Sequence, residues 1–514
     1  MLRNYFQKEP VFLLSSGIVL VFILLGIFSP ATLELVASTI QSAILRYFSW
    51  MYMISGFVFL VFVLFLALTR YGTIRLGHDT ERPQYTLFGW VAMLFAAGMG
   101  IGLLFWGVSE PLIHFIEPPA FLTSSSPDSA HFAMLYSFFH WGIHPWAIYT
   151  IVSLSIAYFS FRRGMPSLIS SCFYPILGER TFGLPGNVVD VLAVFATVFG
   201  TATSLGFGAL QIHSGFTHVF GISSAISITI GIIVIATALF MASAILGVEK
   251  GVQVLSKVNI IIAIGLMIFI LSLSSTPYIL NVFTSTLGNY INNIIELSFQ
   301  TYPFAAFEWT RGWTVFYWAW WISWSPFVGL FIARISRGRS IREFVLTVLT
   351  VPVIFTFIWF SVFGGSALYL ELTGDVDLAE MALQDESIAL FAFFEYFPLT
   401  TLLSLLAILL LGVFFITSAD SATVVLGSLT SGGNIVVPMY KKAIWGISLS
   451  TVAIVLLMTG GLDALQMMAI NAAFPFMFVM LILCYTLWIG LSQEFEEDDV
   501  YPVLRYENEE ERAG

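Results

Sequence analysis

Long apolar runs constrain this chain more than any other feature of its sequence. Twelve of them come close to or exceed the roughly 20 residues that an α-helix needs to cross a bilayer. They lie near residues 11–28, 50–69, 87–109, 132–160, 188–216, 223–246, 255–274, 313–335, 344–367, 399–431, 443–460 and 464–491. Only 10% of the residues are charged, against about a quarter in soluble domains. The sequence therefore predicts an all-α integral membrane protein with twelve transmembrane helices and excludes an ordinary soluble enzyme.

The positions of Lys and Arg orient these helices. With a cytoplasmic N-terminus, all of the 20 Lys and Arg residues except Arg46 and Arg311 fall on the inner side. Such an excess is typical of cytoplasmic loops, and one missed or extra helix would invert every later loop. We therefore expect both termini in the cytoplasm. Nucleic acid is excluded as a partner because no basic stripe is present.

Two stretches between the apolar runs have other characters. Residues 275–300 place apolar side chains at helical spacing, which predicts an amphipathic helix along the outer interface. Residues 368–396 hold seven acids and no Lys or Arg, which predicts an outer loop. The tail from Glu494 is acidic and short, and we expect it to be solvated on the inner side.

The third run contains three glycines at Gly98, Gly100 and Gly102. Small residues spaced by four allow close helix packing, and Gly98 and Gly102 satisfy that spacing. The spacing by two instead favours a locally unwound helix whose free backbone groups line a binding site. Both interpretations remain open from the residues alone.

Tryptophans concentrate in the eighth run. Six of the 14 lie within 16 residues, and two of these, Trp309 and Trp313, suit an aromatic belt at the lipid headgroups. The deeper ones and the aromatics of the fourth run predict a box of ring faces that holds a quaternary ammonium by cation–π attraction. They are Trp320, Trp321 and Trp324 with Trp141, Trp146 and Tyr149. The third, fourth and eighth runs contain no Asp or Glu, as expected for a cation without N–H groups, although core packing is the alternative for any single ring.

Hydroxyl pairs are the remaining signal. Thr197 and Thr201 lie four apart in the fifth run, and Thr417 and Ser418 are adjacent in the tenth. A membrane threonine usually bonds the carbonyl four residues back on its own helix, but transporters also build Na⁺ sites from such hydroxyls. Asp420 is a functional candidate or a helix cap. We find no catalytic constellation.

Two histidines have the spacing of metal ligands. His140 and His144 lie four residues apart, as on one face of a helix, but the sequence offers no third ligand nearby. We therefore interpret both as structural residues.

Five motifs together resemble the betaine–choline–carnitine transporter family. They are the runs Gly98–Gly102, Phe105–Pro111, His140–Tyr149, Trp320–Arg339 and Phe414–Ser421. The resemblance covers nearly all twelve spans. It implies two leading helices and two LeuT-like inverted five-helix repeats (spans 3–7 and 8–12), in a homotrimer in contact with lipid in the bacterial inner membrane. The chain then divides into an N-terminal part at 1–86, a first repeat at 87–274, an interfacial helix and linker at 275–312, a second repeat at 313–491 and a tail at 492–514.

The matching motifs also imply roles for individual residues. The six aromatics named above would form the trimethylammonium box, Trp318 would belong to the entry path, and the backbone amides of Gly98, Gly100 and Gly102 would contact a substrate carboxylate. No resident cofactor is implied, only Na⁺ as a coupling ion. One sodium would lie among Ala96, Met99, Phe414, Thr417 and Ser418, and a second near Thr197, Thr201 and Phe327.

Two details indicate which member of the family the chain resembles. Sodium-independent carnitine exchangers replace ion-site positions by Met or Arg, whereas Thr197, Thr201, Thr417 and Ser418 are retained here. Choline carriers typically have Asp at the position of Gly102. We therefore expect a sodium-coupled importer of glycine betaine and not an enzyme. The alternative is a sodium-independent exchanger or carrier for carnitine, choline, ectoine or a sulfonium analogue.

Overall fold

The computed structural model describes residues 9–98, 100–246, 249–374, 376–434 and 436–495. Within these ranges the chain is helical, and the only pairing of β type is an isolated bridge between Arg75 and Ser340. The α-helices are α1 Pro10–Phe28, α2 Pro30–Leu68, α3 Leu87–Gly98, α4 Ile101–Ile116, α5 Pro127–Trp141, α6 Ile143–Ala157, α7 Tyr174–Leu177, α8 Leu184–Phe220, α9 Ile226–Leu246, α10 Glu249–Leu273, α11 Thr276–Phe299, α12 Phe307–Thr310, α13 Phe316–Ile335, α14 Ile341–Thr373, α15 Leu378–Gln384, α16 Ala389–Phe394, α17 Thr400–Leu429 and α18 Met439–Ser492.

Nine helical stretches of the described chain are long and apolar enough to cross a membrane. The difference from the twelve predicted runs has three local causes. The third run is divided between α3 and α4, the fourth is divided between α5 and α6, and the last two runs are continuous in α18. The protein is thus an all-helical membrane protein, while the count of twelve crossings stays a prediction.

Glycines lie at all three of these places. Gly100 separates α3 from α4 with an extended backbone (φ −165°, ψ −174°), which favours the unwound interpretation of the glycine run. Gly142 separates α5 from α6. In α18 the kink falls at Gly460 and Gly461, and Gly461 has φ +60°, a conformation that only glycine adopts without strain.

The helical stretch 307–335, which contains α12 and α13, lies at the centre of the molecule. Of its most apolar 18 residues 89% are buried, against 22% of the most apolar 18 residues of α9. Apolarity does not explain this difference, because α9 has the higher mean hydropathy, 2.3 against 1.3. Helix α13 packs mainly on α6, α8 and α18, so its tryptophans are held in the middle of the fold.

The two stretches between the apolar runs agree with the sequence prediction to different degrees. Residues 275–300 are helical in α11, as predicted. The acid-rich stretch 368–396 is not a simple loop, because it contains the end of α14 and the short helices α15 and α16. Both short helices pack on α4, and they bury apolar side chains such as Leu378 and Phe391. Apolar residues between the acids anchor this stretch to the core.

Candidate functional site

A cavity lies where the broken third run meets the tryptophan-rich centre. Its volume is about 600 Å³, which includes open solvent. Helices α4, α5, α6, α8, α13, α14 and α17 all contribute to its wall. The lining residues are Gly100, Ile101, Gly102, Leu103, Trp141, Pro145, Trp146, Tyr149, Ser204, Trp320, Trp321, Trp324, Thr356 and Ser418.

All six aromatics predicted for the ammonium box line this one cavity. Trp320 and Trp321 are stacked with ring centroids 4.6 Å apart. Trp141 meets Trp321 nearly at right angles, at 4.9 Å and 73°. Tyr149 is also nearly perpendicular to Trp321, at 6.3 Å and 80°. The rings therefore form an aromatic corner, and we call these six residues the aromatic wall.

Hydrogen bonds behind the rings fix three of the indoles. Trp320 donates from Nε1 to the Ser204 hydroxyl at 3.2 Å. Trp321 donates to the His140 carbonyl at 3.0 Å, and Trp141 donates to the Glu110 carboxylate at 2.8 Å. Because an indole N–H only donates, each bond restricts how its ring can turn. The buried Nε1 of Trp324 has no acceptor among the described residues.

The first turn of α4 also lines the cavity. Gly100, the N-cap, offers no side-chain cap, and the first N–H groups of a helix lack partners within it. Together with the helix dipole, they make this end suitable for an anion. A Cβ on Gly102 would lie 2.8 Å from the Trp141 ring and 3.0 Å from the Trp320 ring, so glycine is what permits this approach. Gly98 ends α3, and its place relative to the cavity lies outside what the structure describes.

The predicted sodium-site threonines are found in two hydrogen-bonding states. Thr197 donates its hydroxyl to the Ala193 carbonyl at 2.8 Å, and Thr417 donates to the Val413 carbonyl at 2.9 Å. These are the ordinary bonds to the residue four back, and they leave the oxygen lone pairs free. The buried hydroxyl of Thr201 has no hydrogen-bond partner among the described residues.

The other predicted sodium-site residues are only partly described. Ser418 lines the cavity, and Phe414 and Phe327 are buried, with 7% and 8% of their surface exposed. Met99 and the side chain of Ala96 lie outside the described residues. The two ion sites therefore stay predictions.

Trp318, predicted on the entry path, is not among the lining residues. It is fully buried and stacks on His144, with ring centroids 5.3 Å apart and an interplanar angle of 19°. Its entry role stays a prediction.

The sequence interpretation missed a buried polar cluster beside the wall. Glu110 accepts a hydrogen bond from His140 at 2.8 Å and lies 3.3 Å from His114. The expectation that no third potential ligand lies near His140 is therefore wrong. Helix α4 continues to Ile116, past the end of the predicted third run, and carries this carboxylate into the interior. The signal was present, because Glu110 and His114 are four apart in an apolar helix.

Ser204 and Thr356 were also missed, although both line the cavity. Ser204 holds Trp320 in place, and Thr356 donates to the carbonyl of Trp141 at 3.0 Å. Neither residue belongs to a motif in the sequence, and only the fold brings them to the aromatic wall.

Comparison with known proteins identifies relatives along almost the whole chain. The model of the betaine/carnitine/choline family transporters (BCCT) matches residues 10–496. The glycine betaine transporter OpuD of Bacillus subtilis is 47% identical over 489 residues, or 95% of either chain. Glycine betaine transporter 1 of Vibrio parahaemolyticus is 42% identical over 95% of this chain and 94% of its own. The ectoine/hydroxyectoine transporter of Virgibacillus pantothenticus is 40% identical over 96% and 98%.

These matches extend well beyond the motifs around the cavity. The range matched by the family model, residues 10–496, includes the apolar helices, the glycine break and the tryptophan-rich centre. The resemblance drawn from the sequence motifs is thereby confirmed, and the chain belongs to the BCCT family of membrane transporters.

Proposed function

We propose that this protein imports glycine betaine together with Na⁺. The observation that carries the proposal is that one cavity contains both the aromatic wall and the first turn of α4. We call this turn, with its free N–H groups, the amide end of α4. A trimethylammonium group is attracted by indole faces, and a carboxylate is stabilised at a helix N-terminus. None of the described lining residues is charged, which suits a zwitterion with no net charge.

The proposed coupling rests on the hydroxyl groups near the cavity. One Na⁺ would bind among Ala96, Met99, Phe414, Thr417 and Ser418, and another near Thr197, Thr201 and Phe327. Two features support oxygen ligation, namely the buried hydroxyl of Thr201, which has no partner in the part of the chain that the structure describes, and the free lone pairs of Thr417. Sodium is a substrate of this cycle, which needs no chemical step.

The proposed architecture has twelve transmembrane helices, with two leading helices before inverted repeats at spans 3–7 and 8–12. The termini would lie in the cytoplasm of a bacterium, and three copies would form a homotrimer in the inner membrane. The distribution of Lys and Arg supports this orientation. Transport would proceed by alternating access to the cavity.

The membrane potential would drive accumulation in this cycle. Two Na⁺ and one neutral zwitterion carry two charges inward, and each charge gains about 2.3 kcal/mol per 100 mV. The potential alone would therefore supply roughly 4–5 kcal/mol. Since about 1.4 kcal/mol corresponds to a tenfold ratio, this supports roughly three decades of accumulation.

The deciding experiment is uptake of labelled glycine betaine into proteoliposomes at a clamped potential. An inward Na⁺ gradient is compared with an equal K⁺ gradient, and protein-free liposomes give the background. We expect uptake against the betaine gradient only with Na⁺. Equal uptake with either ion would refute symport and favour an exchanger.

A second series tests the substrate in the same proteoliposomes. Unlabelled ectoine, carnitine and choline compete with labelled glycine betaine, and ectoine is included because one close relative is an ectoine/hydroxyectoine transporter. We expect glycine betaine to compete most strongly. Stronger competition by ectoine would move the assignment to that substrate.

A further inference from the structure

Glu110 is a fully buried carboxylate behind the aromatic wall. Its Oε2 accepts hydrogen bonds from Trp141 Nε1 at 2.8 Å and from the Tyr317 hydroxyl. Its Oε1 lies 2.8 Å from His140 Nδ1 and 3.3 Å from His114 Nε2. No Lys or Arg is among these partners. The groups around the carboxylate are an indole N–H, a phenol hydroxyl and two imidazole rings.

This arrangement distinguishes Trp141 from the other anchored indoles of the wall. Trp320 and Trp321 donate to a hydroxyl and to a backbone carbonyl, both of which are neutral. Hydrogen bonds to an ionised acceptor are roughly twice as strong as those between neutral groups. The Trp141 ring is therefore held more firmly than its neighbours.

The same bond changes the electron distribution of the ring. A carboxylate that accepts the N–H proton pushes electron density into the indole, and chains of hydrogen bonds polarise one another in this way. The face of an aromatic ring is already negative and attracts cations. The carboxylate thus makes the Trp141 face more attractive to a cation while remaining outside the cavity lining.

The cluster also joins three walls of the cavity. Glu110 lies on α4, His140 and Trp141 end α5, and Tyr317 lies at the start of α13. The other nitrogen of His140 contacts the Thr314 hydroxyl at 2.9 Å. A single side chain therefore sets the relative position of the amide end and the aromatic wall.

We propose that Glu110 is a positioning residue that orients Trp141 and strengthens its attraction for a quaternary ammonium ion. The inference deepens the proposed function, since it rests on Trp141 contacting the substrate cation. It adds a determinant of affinity that does not itself touch the substrate.

The first test replaces Glu110 by Gln, which keeps the shape and one acceptor but removes the charge. We expect Glu110→Gln to raise the KM for glycine betaine about three- to tenfold, the range of a weakened cation–π contact, with the maximal rate changed less than twofold. An unchanged KM in the folded variant would overturn the proposal.

A double-mutant cycle separates this role from general support of the fold. In a Trp141→Phe background, which lacks the N–H group, Glu110→Gln should change KM less than about twofold. In a Trp321→Phe background, the matched control, it should keep its full effect. Equal effects in both backgrounds would assign Glu110 to the fold in general and overturn the proposal.

A second measurement does not alter Glu110 and applies even if the Gln variant does not fold. Naphthylalanine at position 141 keeps an extended aromatic face but removes the N–H donor. Its KM should rise by the same three- to tenfold, and a KM equal to that of the wild type would contradict the proposal.

Treatment with a chelator should leave KM unchanged, whereas an effect would assign the cluster of Glu110, His114 and His140 to a metal and overturn the proposal.

Binding of tetramethylammonium, followed by tryptophan fluorescence, distinguishes the two levels of inference. If the wild type binds neither this probe nor glycine betaine, the proposed function fails and the role of Glu110 with it. If the wild type binds both and Glu110→Gln binds them equally well, the role of Glu110 alone fails.

Discussion

The aromatic wall and the threonines of the predicted sodium sites differ in which of their polar groups are already hydrogen-bonded. In the wall, the N–H groups of Trp141, Trp320 and Trp321 are already satisfied by protein acceptors. At these three residues only the ring faces remain to interact with a substrate. At the threonines, by contrast, oxygen lone pairs remain free, and the buried Thr201 hydroxyl lacks any partner among the described residues.

This difference separates a site built in advance from one completed by its ligand. A wall with fixed rings loses little freedom when a cation binds, so it contributes mainly to affinity. An unpaired buried hydroxyl is costly until something bonds to it, so its ligand stabilises one arrangement of the helices. Changes in the wall should therefore alter KM, and changes at the threonines should alter coupling.

The largest effect is expected from removing both hydroxyls, in Thr201→Ala with Thr417→Ala. If Na⁺ binds there, the accumulation of glycine betaine should fall from roughly three decades toward equal concentrations, because the potential no longer drives the cycle. The accumulation ratio in proteoliposomes measures this.

Thr451→Ala serves as the control for that double variant. Thr451 makes the same kind of bond to the carbonyl four residues back, at 2.8 Å, but it is half-buried on α18 and is not among the residues that line the cavity. Its accumulation ratio should match that of the wild type. Full accumulation in the double variant would show that these hydroxyls are not needed for coupling, and the proposed difference between the wall and the threonines would be wrong.

A methyl group on Gly102, in the first turn of α4, should have the next largest effect. In Gly102→Ala the new Cβ would lie 2.8 Å from Trp141 and 3.0 Å from Trp320, and these buried rings have little room to move. We expect KM for glycine betaine to rise about five- to 150-fold, since overpacking costs roughly 1–3 kcal/mol. Gly265→Ala, where no described atom outside the local backbone lies within 4 Å of the added Cβ, should transport normally. A normal KM in Gly102→Ala would show that the rings of Trp141 and Trp320 can move to make room for the methyl group.

Loss of single rings sharpens the comparison within the wall. Trp320→Leu and Trp324→Leu each remove a cation–π contact of about 2 kcal/mol and should raise KM roughly tenfold or more. Uptake kinetics at saturating Na⁺ measure it. Trp50→Leu, a change on the exposed surface of α2, should leave KM as in the wild type. Unchanged values in both wall variants would refute the cation–π role.

The smallest effect is expected far from both regions. Glu81 lies in the loop before α3 and pairs with Arg337. Burial opposes its ionisation, but hydrogen bonds from Arg337 and from the His78 N–H outweigh this and hold the pKa of Glu81 below its ordinary 4.5. A lowered pKa means that the stabilisation is present above pH 4.5 and is lost as the pH falls through the lowered value.

Glu81→Gln should therefore lower the free energy of unfolding by about 0.2–1 kcal/mol at pH 7 and leave KM unchanged. The difference from the wild type should shrink as the pH falls below 4.5. Thermal unfolding of the purified protein at several pH values measures it. A larger KM effect here than at the wall would contradict the division between the two regions.

The sequence predicted those parts of the fold and site that depend on local pattern. Apolar runs predicted the helices, and the tryptophan spacing predicted residues that line one cavity, such as Trp320 and Trp324. The glycine run left two interpretations because packing and unwinding use the same residues. The structure distinguishes them, because Gly100 has an extended backbone between α3 and α4.

Glu110 illustrates what local pattern leaves out. Its partners Trp141 and Tyr317 are 31 and 207 positions away in the chain. It also follows the apolar run and precedes Pro111, as a residue at a helix end would. Only the packing of α4 against α5 and α13 turns that position into a buried site.

The Glu110 cluster also has a mechanical consequence. A carboxylate bonded at once to α4, α5 and α13 acts as a clamp, and helices clamped at one buried point resist sliding past one another. Motion that exposes the cavity should then shear along the faces that lack the clamp, toward α8 and α17. Those helices carry Thr201 and Thr417. Opening would widen the gap between the clamped block and the threonines without deforming the block, so a sodium ion held at the threonines would lose its ligands while Trp141, Trp320 and Trp321 stay together.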